Sequence, residues 1–452
     1  MSNRDQIKQY AESNVHYCME NDDISRETYA RYGVKRGLRD EDGNGVVTGL
    51  THISSIRAFE EHDGVRTPCD GQLLYRGYDI RDIIAGSPDR CDLFEEGAYL
   101  LLFGHLPTEQ ELISFRSALS ASMELPSNFT RDVIMKAPSA DVMNTMTRAL
   151  LTLSSYDDNR ELEISNVLRQ CIELIGVFPL LAVYGYHAYN YYVRGDSMYI
   201  HRPNPNLSIA ENFLRMLRPD MNYTPLEAKV LDTAMLLHME HGGGNNSTFT
   251  VRVVTSAASD TYSAIAAAMC SLKGAKHGGA NIMVMNMMDD LHASVNDTND
   301  APQVEEYLSK LLDKQAFDKK GLIYGMGHAV YSLSDPRERV FKEYVRRLAE
   351  EKHRTDDLKL YETVEDIAPR IISSRRRIFK GVSPNVDFYS GFVYDMLGIP
   401  KELYTPLFAV ARIAGWSAHR LEELVTADKI IRPAYKSLID ERLPYVARSE
   451  RK

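Results

Sequence analysis

Helix-start signals recur along almost the whole chain, and they constrain its fold more than any other feature of the sequence. Residues 108–111 (Thr-Glu-Gln-Glu) and 224–227 (Thr-Pro-Leu-Glu) each have the form of a capping box, in which a threonine and a glutamate bind the first backbone N–H groups of a helix. Residues 335–338 (Asp-Pro-Arg-Glu) repeat the pattern with aspartate as the cap. Strands and helices do not alternate as in βαβ units, and no internal repeat is evident. The sequence therefore predicts a nearly all-α chain built from many helices.

The N-terminal part of the chain departs from this helical pattern. Residues 1–45 are charged, with weak helical periodicity, and they end in a turn-forming run at 40–45. Residues 49–56 alternate loosely, and 71–75 follow a polar loop, so we expect two short strands in a minor N-terminal β-hairpin. Residues 321–334 also break the helical pattern and predict an ordered loop.

The overall composition is that of a globular protein and argues against several kinds of partner. Of the 452 residues, 44% are hydrophobic and 26% are charged, and the net charge is -10. A negative chain does not attract nucleic acid or an acidic membrane surface, although a local basic pocket for a phosphorylated ligand is compatible with it. No apolar run reaches membrane-spanning length. We therefore expect neither a nucleic-acid partner nor a membrane partner.

The cysteines and the N-terminus indicate a compartment. The five cysteines are scattered without a CxxC motif, which favours a reducing environment and no disulfide framework. The first 20 residues mix acids and bases and lack the apolar core of a signal peptide or the acid-poor composition of a transit peptide. These features predict a cytoplasmic protein.

The first candidate for chemistry is His277, which lies in a glycine-bordered joint between two predicted helices, 260–272 and 281–291. Backbone N–H groups at the start of the second helix disfavour a cation, so we expect the pKa of this imidazole to be lowered and the ring to be neutral near pH 7. A neutral imidazole can donate a hydrogen bond and polarise a carbonyl group. The alternative is a helix–helix turn whose histidine is simply a satisfied polar group.

Residues 237–245 (Leu-His-Met-Glu-His-Gly-Gly-Gly-Asn) end a helix in three glycines. The HxxH spacing is a possible metal pair, but the HExxH order and a third ligand are missing, so we expect no metal site. His241 and Asn245 are better interpreted as hydrogen-bond donors to a polar ligand. The alternative is an ordinary helix end.

Two further glycine- and proline-marked stretches carry His328 and Arg337. His328 lies in a glycine-flanked loop. Arg337 lies in the first turn of a predicted helix, where a cation is unfavourable for the helix dipole, so we interpret it as a bidentate ligand of a carboxylate or phosphate. A surface arginine paired with Glu338 or with solvent is the alternative.

Asp387 lies in the first turn of another predicted helix, among apolar neighbours. Apolar surroundings raise the pKa of a carboxyl group, whereas a helix N-terminus lowers it. Such an aspartate could be a general base, or it could be a helix-start residue that the dipole favours.

Arg412 and Arg432 both lie in mostly apolar contexts, and a buried guanidinium needs an anionic partner. Each could instead be a surface arginine whose stem is covered. The nucleotide motifs GxxxxGK[ST] and GxGxxG are absent. Residues 241–244 superficially match the oxyanion stretch of lipases, but the GxSxG elbow and the strand alternation of that fold are missing.

Taken together, these stretches resemble the citrate synthase family from about Gly49 to Pro433. The order and spacing of the matching motifs make the resemblance specific. The motifs are 75–78 (Tyr-Arg-Gly-Tyr), 94–96 (Phe-Glu-Glu), 104–108 (Gly-His-Leu-Pro-Thr), 277–280 (His-Gly-Gly-Ala), 327–330 (Gly-His-Ala-Val), 335–337 (Asp-Pro-Arg), 385–391 (Asn-Val-Asp-Phe-Tyr-Ser-Gly) and 415–416 (Gly-Trp).

The resemblance implies an all-α, citrate-synthase-like homodimer in which a large and a small helical domain close over oxaloacetate before acyl-CoA is used. The large domain would comprise 1–278 and 391–452 and the small domain 279–390, and a higher oligomer stays open. The implied reaction is that of an acyltransferase of the tricarboxylic acid cycle, which condenses acetyl-CoA with oxaloacetate. The family has no permanently bound cofactor and uses the coenzyme A thioester as a co-substrate.

The resemblance also implies a role for each candidate residue. His277 would donate a hydrogen bond to the thioester carbonyl, Asp387 would remove the methyl proton, and His328 would polarise the oxaloacetate ketone. The residues implied to hold oxaloacetate are His241, Asn245, Arg337 and Arg412, with Arg432 reaching the site of the other subunit. This agrees with the residue chemistry, because a neutral imidazole stabilises an oxyanion, a placed carboxylate takes the proton and guanidinium groups anchor a dicarboxylate.

The sequence also departs from common patterns of the family. Ala329 stands where many bacterial members have Arg, Ala434 replaces the second Arg of an Arg-Pro-Arg, and Gly242 replaces a Glu after the histidine. These changes bear on the coenzyme A grip and on acyl preference rather than on reaction type. A basic cluster before the Asp387 helix is a hypothesis for binding the coenzyme A phosphates, with a solvated basic face as the alternative. The cluster consists of Arg375, Arg376, Arg377 and Lys380.

Three other functions are weighed against citrate synthase. A 2-methylcitrate synthase would use propionyl-CoA with the same residues, and a single methylene changes pocket preference only modestly. A non-catalytic ligand-binding homologue and a metallohydrolase belong to different classes. The joint presence of His277, His328 and Asp387 argues against the non-catalytic homologue.

Overall fold

A computed structural model describes most of the chain, and the described part falls into two units. The described residues are 2–40, 45–62, 65–327, 331, 333–375, 381–426, 429–439 and 442–451. Of the described residues, 2–40 and 45–50 form the first unit, and those from Thr51 onward form the second. The division of the chain into a large and a small helical domain stays a prediction.

The described residues form 17 α-helices and one small antiparallel sheet, which confirms the all-α prediction. The helices of the first unit are α1 (Asn3–Asn21) and α2 (Arg26–Arg31). The helices of the second unit are α3 (Ile80–Ala85), α4 (Leu93–Phe103), α5 (Glu109–Ser122), α6 (Val142–Leu153), α7 (Ile164–Tyr189), α8 (Ile209–Leu217), α9 (Pro225–His238), α10 (Asn246–Ser256), α11 (Thr261–Leu272), α12 (Ala280–Ser294), α13 (Ala301–Leu312), α14 (Pro336–Glu351), α15 (Thr355–Arg375), α16 (Val386–Met396) and α17 (Tyr404–Thr426).

The predicted helix starts form as local chemistry requires. Thr108 and Thr224 each accept the backbone N–H three residues on, and the glutamate at that position binds back to the cap, so both capping boxes are confirmed. Asp260 caps α11 through the N–H of Ser263. Asp335 caps α14 through the N–H of Arg337, with proline at the first helical position.

The N-terminal hairpin of the second unit is confirmed, but its strands are longer than the sequence indicated. Strand β1 (Ser54–His62) pairs antiparallel with β2 (Val65–Tyr75), with a register shift between Arg57 and Phe59, and β3 (Tyr78–Asp79) completes the sheet. The predicted polar loop after residue 56 is therefore mostly strand. Residues 60–70 are mostly polar, so the sequence shows no apolar alternation there.

The centre of the second unit consists of the two longest apolar helices, α7 and α17, whose side chains are nearly all buried. The sequence predicted no apolar run of membrane-spanning length. However, Ile164–Arg194, which includes α7, is long and apolar enough by length and composition, and it is the one such stretch in the described part of the chain. Its most apolar window is 78% buried inside the protein, as expected for a core helix.

Helix α17 approaches the C-terminal end of α9 so closely that only glycine fits at residue 415. A Cβ atom at Gly415 would lie 2.2 Å from the backbone oxygen of Met239. The Nε of Arg412, about one turn earlier on α17, donates to the backbone oxygen of His238 at 2.6 Å. This contact places Arg412 beside the glycine-rich turn that carries His241.

Candidate active site

His277 lies in the turn between α11 and α12, as predicted, and its Nε2 is 3.0 Å from the Oγ of Ser247. Burial, together with the charge of Arg412, lowers the pKa of His277 to about 4, so the imidazole is neutral at pH 7. The sequence predicted this direction but attributed it to the start of α12. The causes of the lowered pKa are instead burial and the charge of Arg412, which is distant along the chain.

The carboxyl group of Asp387, in the first turn of α16, has the raised pKa that a general base near neutrality needs. Burial raises the pKa of Asp387 to about 6, while Arg337 and Arg412 counteract this and Asp335 adds to it. Its backbone N–H binds the Asn385 side chain that caps α16. The apolar surroundings therefore outweigh the helix start, which the sequence had left open.

Arg337 is buried and holds a carboxylate within the chain. Its Nε and Nη2 bind the two carboxylate oxygens of Asp335 at 3.0 and 2.7 Å. The predicted bidentate grip is thus present, but two of the three guanidinium nitrogens are used by Asp335. The predicted alternative, a surface arginine paired with Glu338 or solvent, is wrong.

Arg412 is 1% exposed and stacks over the ring of Phe408, 4.5 Å from its centroid. Its Nε is bound to His238, but within the part of the chain that the structure describes its Nη1 is buried without a hydrogen-bond partner. Burial lowers the pKa of Arg412 to about 10, which still leaves the group charged at pH 7. The charge of Glu240 opposes this effect of burial, so what Arg412 lacks among the described residues is a hydrogen-bond acceptor for Nη1.

The turn after α9 carries His241 and Asn245. Gly242 adopts φ +84°, a left-handed conformation that side chains disfavour, so the glycine at this departure from the family pattern meets a backbone need. His241 is buried and lies edge-on to Tyr331, with ring centroids 5.6 Å apart. Asn245 occupies the cap position of α10 and accepts the hydroxyl of Ser247 at 3.0 Å.

Ser247 joins three of these side chains. Its Oγ is 3.0 Å from Nε2 of His277, lies 3.0 Å from the side-chain oxygen of Asn245, and accepts the indole N–H of Trp416 at 3.2 Å. Because the hydroxyl has one proton, it can donate to either His277 or Asn245 but not to both. Ser247 therefore controls which ring nitrogen of His277 carries the proton.

Four of the predicted site residues affect one another's pKa values, and the others lie elsewhere or outside the described residues. The charge of Arg412 acts on both His277 and Asp387, and Arg337 acts on Asp387 and Arg412. Arg432 is exposed in a segment after α17 without regular structure. Arg375, at the end of α15, pairs with Asp313 at 2.8 Å. His328, Ala329, Arg376, Arg377 and Lys380 lie outside the described residues.

His238 is a member of this site that sequence reasoning considered only as half of a metal pair. Its ring packs against Phe341, Tyr394 and Phe408, and neither ring nitrogen has a hydrogen-bond partner among the described residues. Burial lowers its pKa far below the usual value, and Arg337 and Arg412 add to this effect. The HxxH spacing was the signal that could have placed it here.

The same described residues contain no group of three or more His, Cys, Asp and Glu side chains that could hold a metal ion. What the site does combine is two buried guanidinium groups, a neutral imidazole and a carboxyl group whose pKa is near 6. Such an arrangement can bind a small dianion and move a proton from carbon.

A family model described as the citrate synthase C-terminal domain matches residues 42–434. The chain belongs to the citrate synthase family. Curated citrate synthases support this. The Synechocystis enzyme is 33% identical over 409 residues, covering 89% of this chain and 93% of that protein. The Haloferax volcanii enzyme is 35% identical over 428 residues, covering 92% and 99%. Members of the citrate synthase family are condensing transferases.

The family also includes enzymes with another acyl preference. The 2-methylcitrate synthase 1 of Corynebacterium glutamicum is 30% identical over 416 residues and covers 90% of this chain and 96% of that protein. Two solved citrate synthases share the fold. The Pyrobaculum aerophilum structure has a TM-score of 0.73 at 28% identity, covering 92% of this chain and 95% of that chain. The Thermoplasma acidophilum structure, a ternary complex with carboxymethyl coenzyme A and oxaloacetate, has a TM-score of 0.75 at 27% identity, covering 92% and 99%.

Proposed function

We propose that this chain is a citrate synthase, which condenses acetyl-CoA with oxaloacetate and water to give citrate and coenzyme A. The observation that carries the proposal is the buried Nη1 of Arg412, a charged donor without a partner among the described residues. It lies in electrostatic reach of both the neutral His277 and the Asp387 carboxyl group. A carboxylate of oxaloacetate supplies the acceptor that Nη1 lacks.

Oxaloacetate binds first, through both of its carboxylates. Arg412 takes one with Nη1, and Arg337 takes the other with the guanidinium nitrogen that Asp335 does not use. His241 and Asn245 add hydrogen-bond donors from the turn after α9. Arg432 reaches the site from the second subunit of a homodimer, which is consistent with its exposure in this chain. His328 donates a hydrogen bond to the ketone oxygen and makes the carbonyl carbon more electrophilic.

Enolisation of the thioester uses Asp387 and His277 together. The Asp387 carboxylate takes a proton from the methyl carbon, and the electron pair moves to the thioester oxygen, where the N–H of neutral His277 stabilises it. In this scheme Ser247 turns its hydroxyl proton from the Asn245 oxygen to Nε2 of His277, which leaves the ring proton on Nδ1 for the thioester. The enol carbon then attacks the ketone carbon, and hydrolysis of the citryl thioester releases coenzyme A.

Coenzyme A phosphates are proposed to bind the basic cluster at Arg375, Arg376, Arg377 and Lys380. The Thermoplasma relative was solved with a coenzyme A derivative, which supports a thioester co-substrate here. Arg375 is paired with Asp313, so it would need to exchange that partner for a phosphate.

A second candidate is 2-methylcitrate synthase, with propionyl-CoA as the thioester. Two relatives of that name match 90% and 80% of this chain at 30% and 32% identity. The proton removed from propionyl-CoA also lies next to the thioester carbonyl, so the same residues serve both reactions. Preference between the two depends on space for one methyl group, worth about 1–3 kcal/mol.

The experiment measures coenzyme A release from acetyl-CoA and from propionyl-CoA, each with and without oxaloacetate. We expect release from acetyl-CoA that depends on oxaloacetate, with a higher kcat/KM than for propionyl-CoA. The opposite ratio would favour the second candidate. Release that does not need oxaloacetate would indicate a thioesterase, and no release with either thioester would contradict a catalytic role. Full activity in EDTA would dispose of a metallohydrolase.

A further inference from the structure

A buried network joins the turn that carries His241 and Asn245 to three elements of the fold, α10, α17 and β1. The network consists of Glu240, His419, Arg252 and Ser54. Glu240 follows α9, His419 lies on α17, Arg252 lies on α10 and Ser54 begins β1. Glu240 and His419 are both 0% exposed, so their polar groups depend on each other rather than on water.

Glu240 binds the turn through hydrogen bonds on its buried side. Its Oε1 accepts the backbone N–H of Gly242 at 2.5 Å, the Ser54 hydroxyl at 2.8 Å and Nε2 of His419 at 3.0 Å. Burial by itself would raise the pKa of this carboxyl, but His419, Arg412 and the Ser54 hydroxyl outweigh it and hold the pKa at about 2. The Glu240 carboxylate, just before His241, therefore stays ionised and is bound to the backbone of Gly242, just after His241.

The ring of His419 is fixed in one tautomer by its second neighbour. Nη2 of Arg252 lies 2.7 Å from Nδ1 of His419. Because a guanidinium can only donate, Nδ1 must accept, and the ring proton is on Nε2, from which it is donated to Glu240. Arg252 is held in turn by Glu423 at 2.8 Å and by Glu422. The direction of every hydrogen bond from Arg252 to Gly242 is thus determined.

Helix α17 holds the turn at two points of one helical face. Arg412 and His419 are seven residues apart, which is two turns. Arg412 binds the backbone oxygen of His238, and His419 binds the side chain of Glu240. Arg412 is itself proposed to bind oxaloacetate. A displacement of the turn relative to α17 therefore changes the distance between Arg412 and the donors His241 and Asn245.

We propose that His419 is a positioning residue for oxaloacetate, acting through Glu240 on the turn that presents His241 and Asn245. His419 does not touch the reacting atoms. The inference rests on the proposed function, since it assigns the network to the dicarboxylate half of that site. Among the described residues, no hydrogen bond joins His277 or Asp387 directly to these four side chains, and His277 is linked to the turn through Ser247, which binds Asn245.

Two substitutions of His419 separate its two hydrogen bonds. In His419→Gln the amide nitrogen lies near the position of Nε2 and can still donate to Glu240. In His419→Asn the shorter side chain reaches only the position of Nδ1, so the bond to Glu240 is lost. We expect His419→Asn to raise the KM for oxaloacetate about tenfold, with kcat within about twofold of wild type, and His419→Gln to restore most of the affinity.

A matched control is His187→Asn, which removes another buried histidine that binds a backbone oxygen, that of Met216 in α8, at 3.1 Å. This control should lower thermal stability and leave the KM for oxaloacetate unchanged. Equal increases in the KM values for oxaloacetate and acetyl-CoA in His419→Asn, or lower stability with an unchanged oxaloacetate KM, would overturn the proposal.

Two further measurements keep the test decisive. If His419→Asn does not fold, Ser54→Ala removes one donor from the same carboxylate at the edge of the network, and it should raise the oxaloacetate KM about threefold. An unchanged KM there contradicts the proposal. If the wild-type protein shows no oxaloacetate-dependent release of coenzyme A, the proposed function fails. Calorimetric binding of oxaloacetate then tests the role of His419 by itself. Binding to His419→Asn that is about tenfold weaker supports the proposal, and equal binding overturns it.

Discussion

Asp387 and Glu240 are two shielded carboxyl groups that both lie within electrostatic reach of Arg412, yet their pKa values are displaced in opposite directions. The pKa of Asp387 is raised to about 6, and that of Glu240 is lowered to about 2. Burial is the largest influence on both and would raise both. The same arginine lowers both, so neither burial nor Arg412 explains the difference.

The groups bound to each carboxylate explain it, with His419 the largest influence that opposes burial at Glu240. Glu240 accepts three donors on one oxygen, from Ser54, Gly242 and His419. The Asp387 carboxylate accepts none from the described residues, and its neighbour Asp335 adds a repelling charge. A carboxylate that is well bonded stays ionised and holds structure, whereas one that is only shielded can take up a proton near neutral pH. The comparison assigns a structural task to Glu240 and a chemical task to Asp387.

The largest expected effect comes from removing the chemical carboxylate. Asp387→Ala should lower kcat by about 10³-fold, because proton transfer by a placed base contributes about 10²–10⁴-fold. Oxaloacetate binding should be retained, since the anion partners Arg337 and Arg412 remain. Steady-state kinetics and calorimetry measure the two quantities, and near-normal turnover would show that Asp387 is not the base.

The next effect is on stability, and its sign should differ between the two carboxyl groups. The folded pKa of Asp387 lies above its usual value of 3.8, so the protonated side chain favours the folded state at low pH, and this stability is lost as pH rises through about 6. Asp387→Asn should therefore raise the free energy of unfolding at pH 7 by about 2 kcal/mol, a value reduced from the full shift because the side chain keeps some solvent contact.

Glu240→Gln should do the reverse and lower the free energy of unfolding at pH 7 by about 3 kcal/mol. The folded pKa of about 2 lies below the usual value of 4.5, so the stability from Glu240 is present above pH 4.5 and is lost as pH falls toward 2. Denaturant titration at pH 7 and at pH 4 measures both variants. Changes of the same sign would remove the distinction between the two groups.

Hydrogen bonds between nearby residues could be predicted from the sequence, whereas the contacts around His277 and Glu240 could not. The capping boxes at Thr108 and Thr224 were predicted because a cap is bonded to residues three positions away. The neutrality of His277 was predicted, but its cause was not, because Arg412 is 135 positions further along the chain. His419 and Glu240 are 179 positions apart, and neither lies in a motif that implies the other. Local bonds are readable from spacing, whereas a buried network exists only once the helices have packed.

Arg337 illustrates the limit in a different way. The sequence indicated correctly that a cation at a helix start needs a carboxylate, and Asp335 is only two positions away. The sequence did not identify Asp335 as one such carboxylate, and the binding of a substrate carboxylate by Arg337 stays a prediction. Asp335 was interpreted as a helix cap, which it is, and one carboxylate serves both the backbone of α14 and the guanidinium. A residue with two partners is hard to assign from a pattern that explains one of them.

A smaller effect concerns the pH profile of the wild-type reaction. The base must be ionised, so kcat/KM for acetyl-CoA should fall about tenfold between pH 7 and pH 5, as Asp387 with its pKa of about 6 becomes protonated. His277 should not contribute over this range, because its pKa of about 4 keeps it neutral. An activity that is constant down to pH 5 would contradict the raised pKa of Asp387 and with it the comparison to Glu240.

The smallest expected effect tests whether the Asp387 half of the site depends on a bonded partner of its own. Ser247→Ala removes the hydroxyl bound to Nε2 of His277 and should lower kcat about fivefold, since a net hydrogen bond is worth about 1 kcal/mol. Ser271→Ala is the matched control, because it removes a serine hydroxyl that binds Asn246, next to Ser247 on α10, without touching His277. Equal activity of the two variants would mean that the ring of His277 selects its tautomer without Ser247. A loss confined to Ser247→Ala would show that His277 is oriented by a hydrogen-bonded neighbour, as Glu240 is by its three donors.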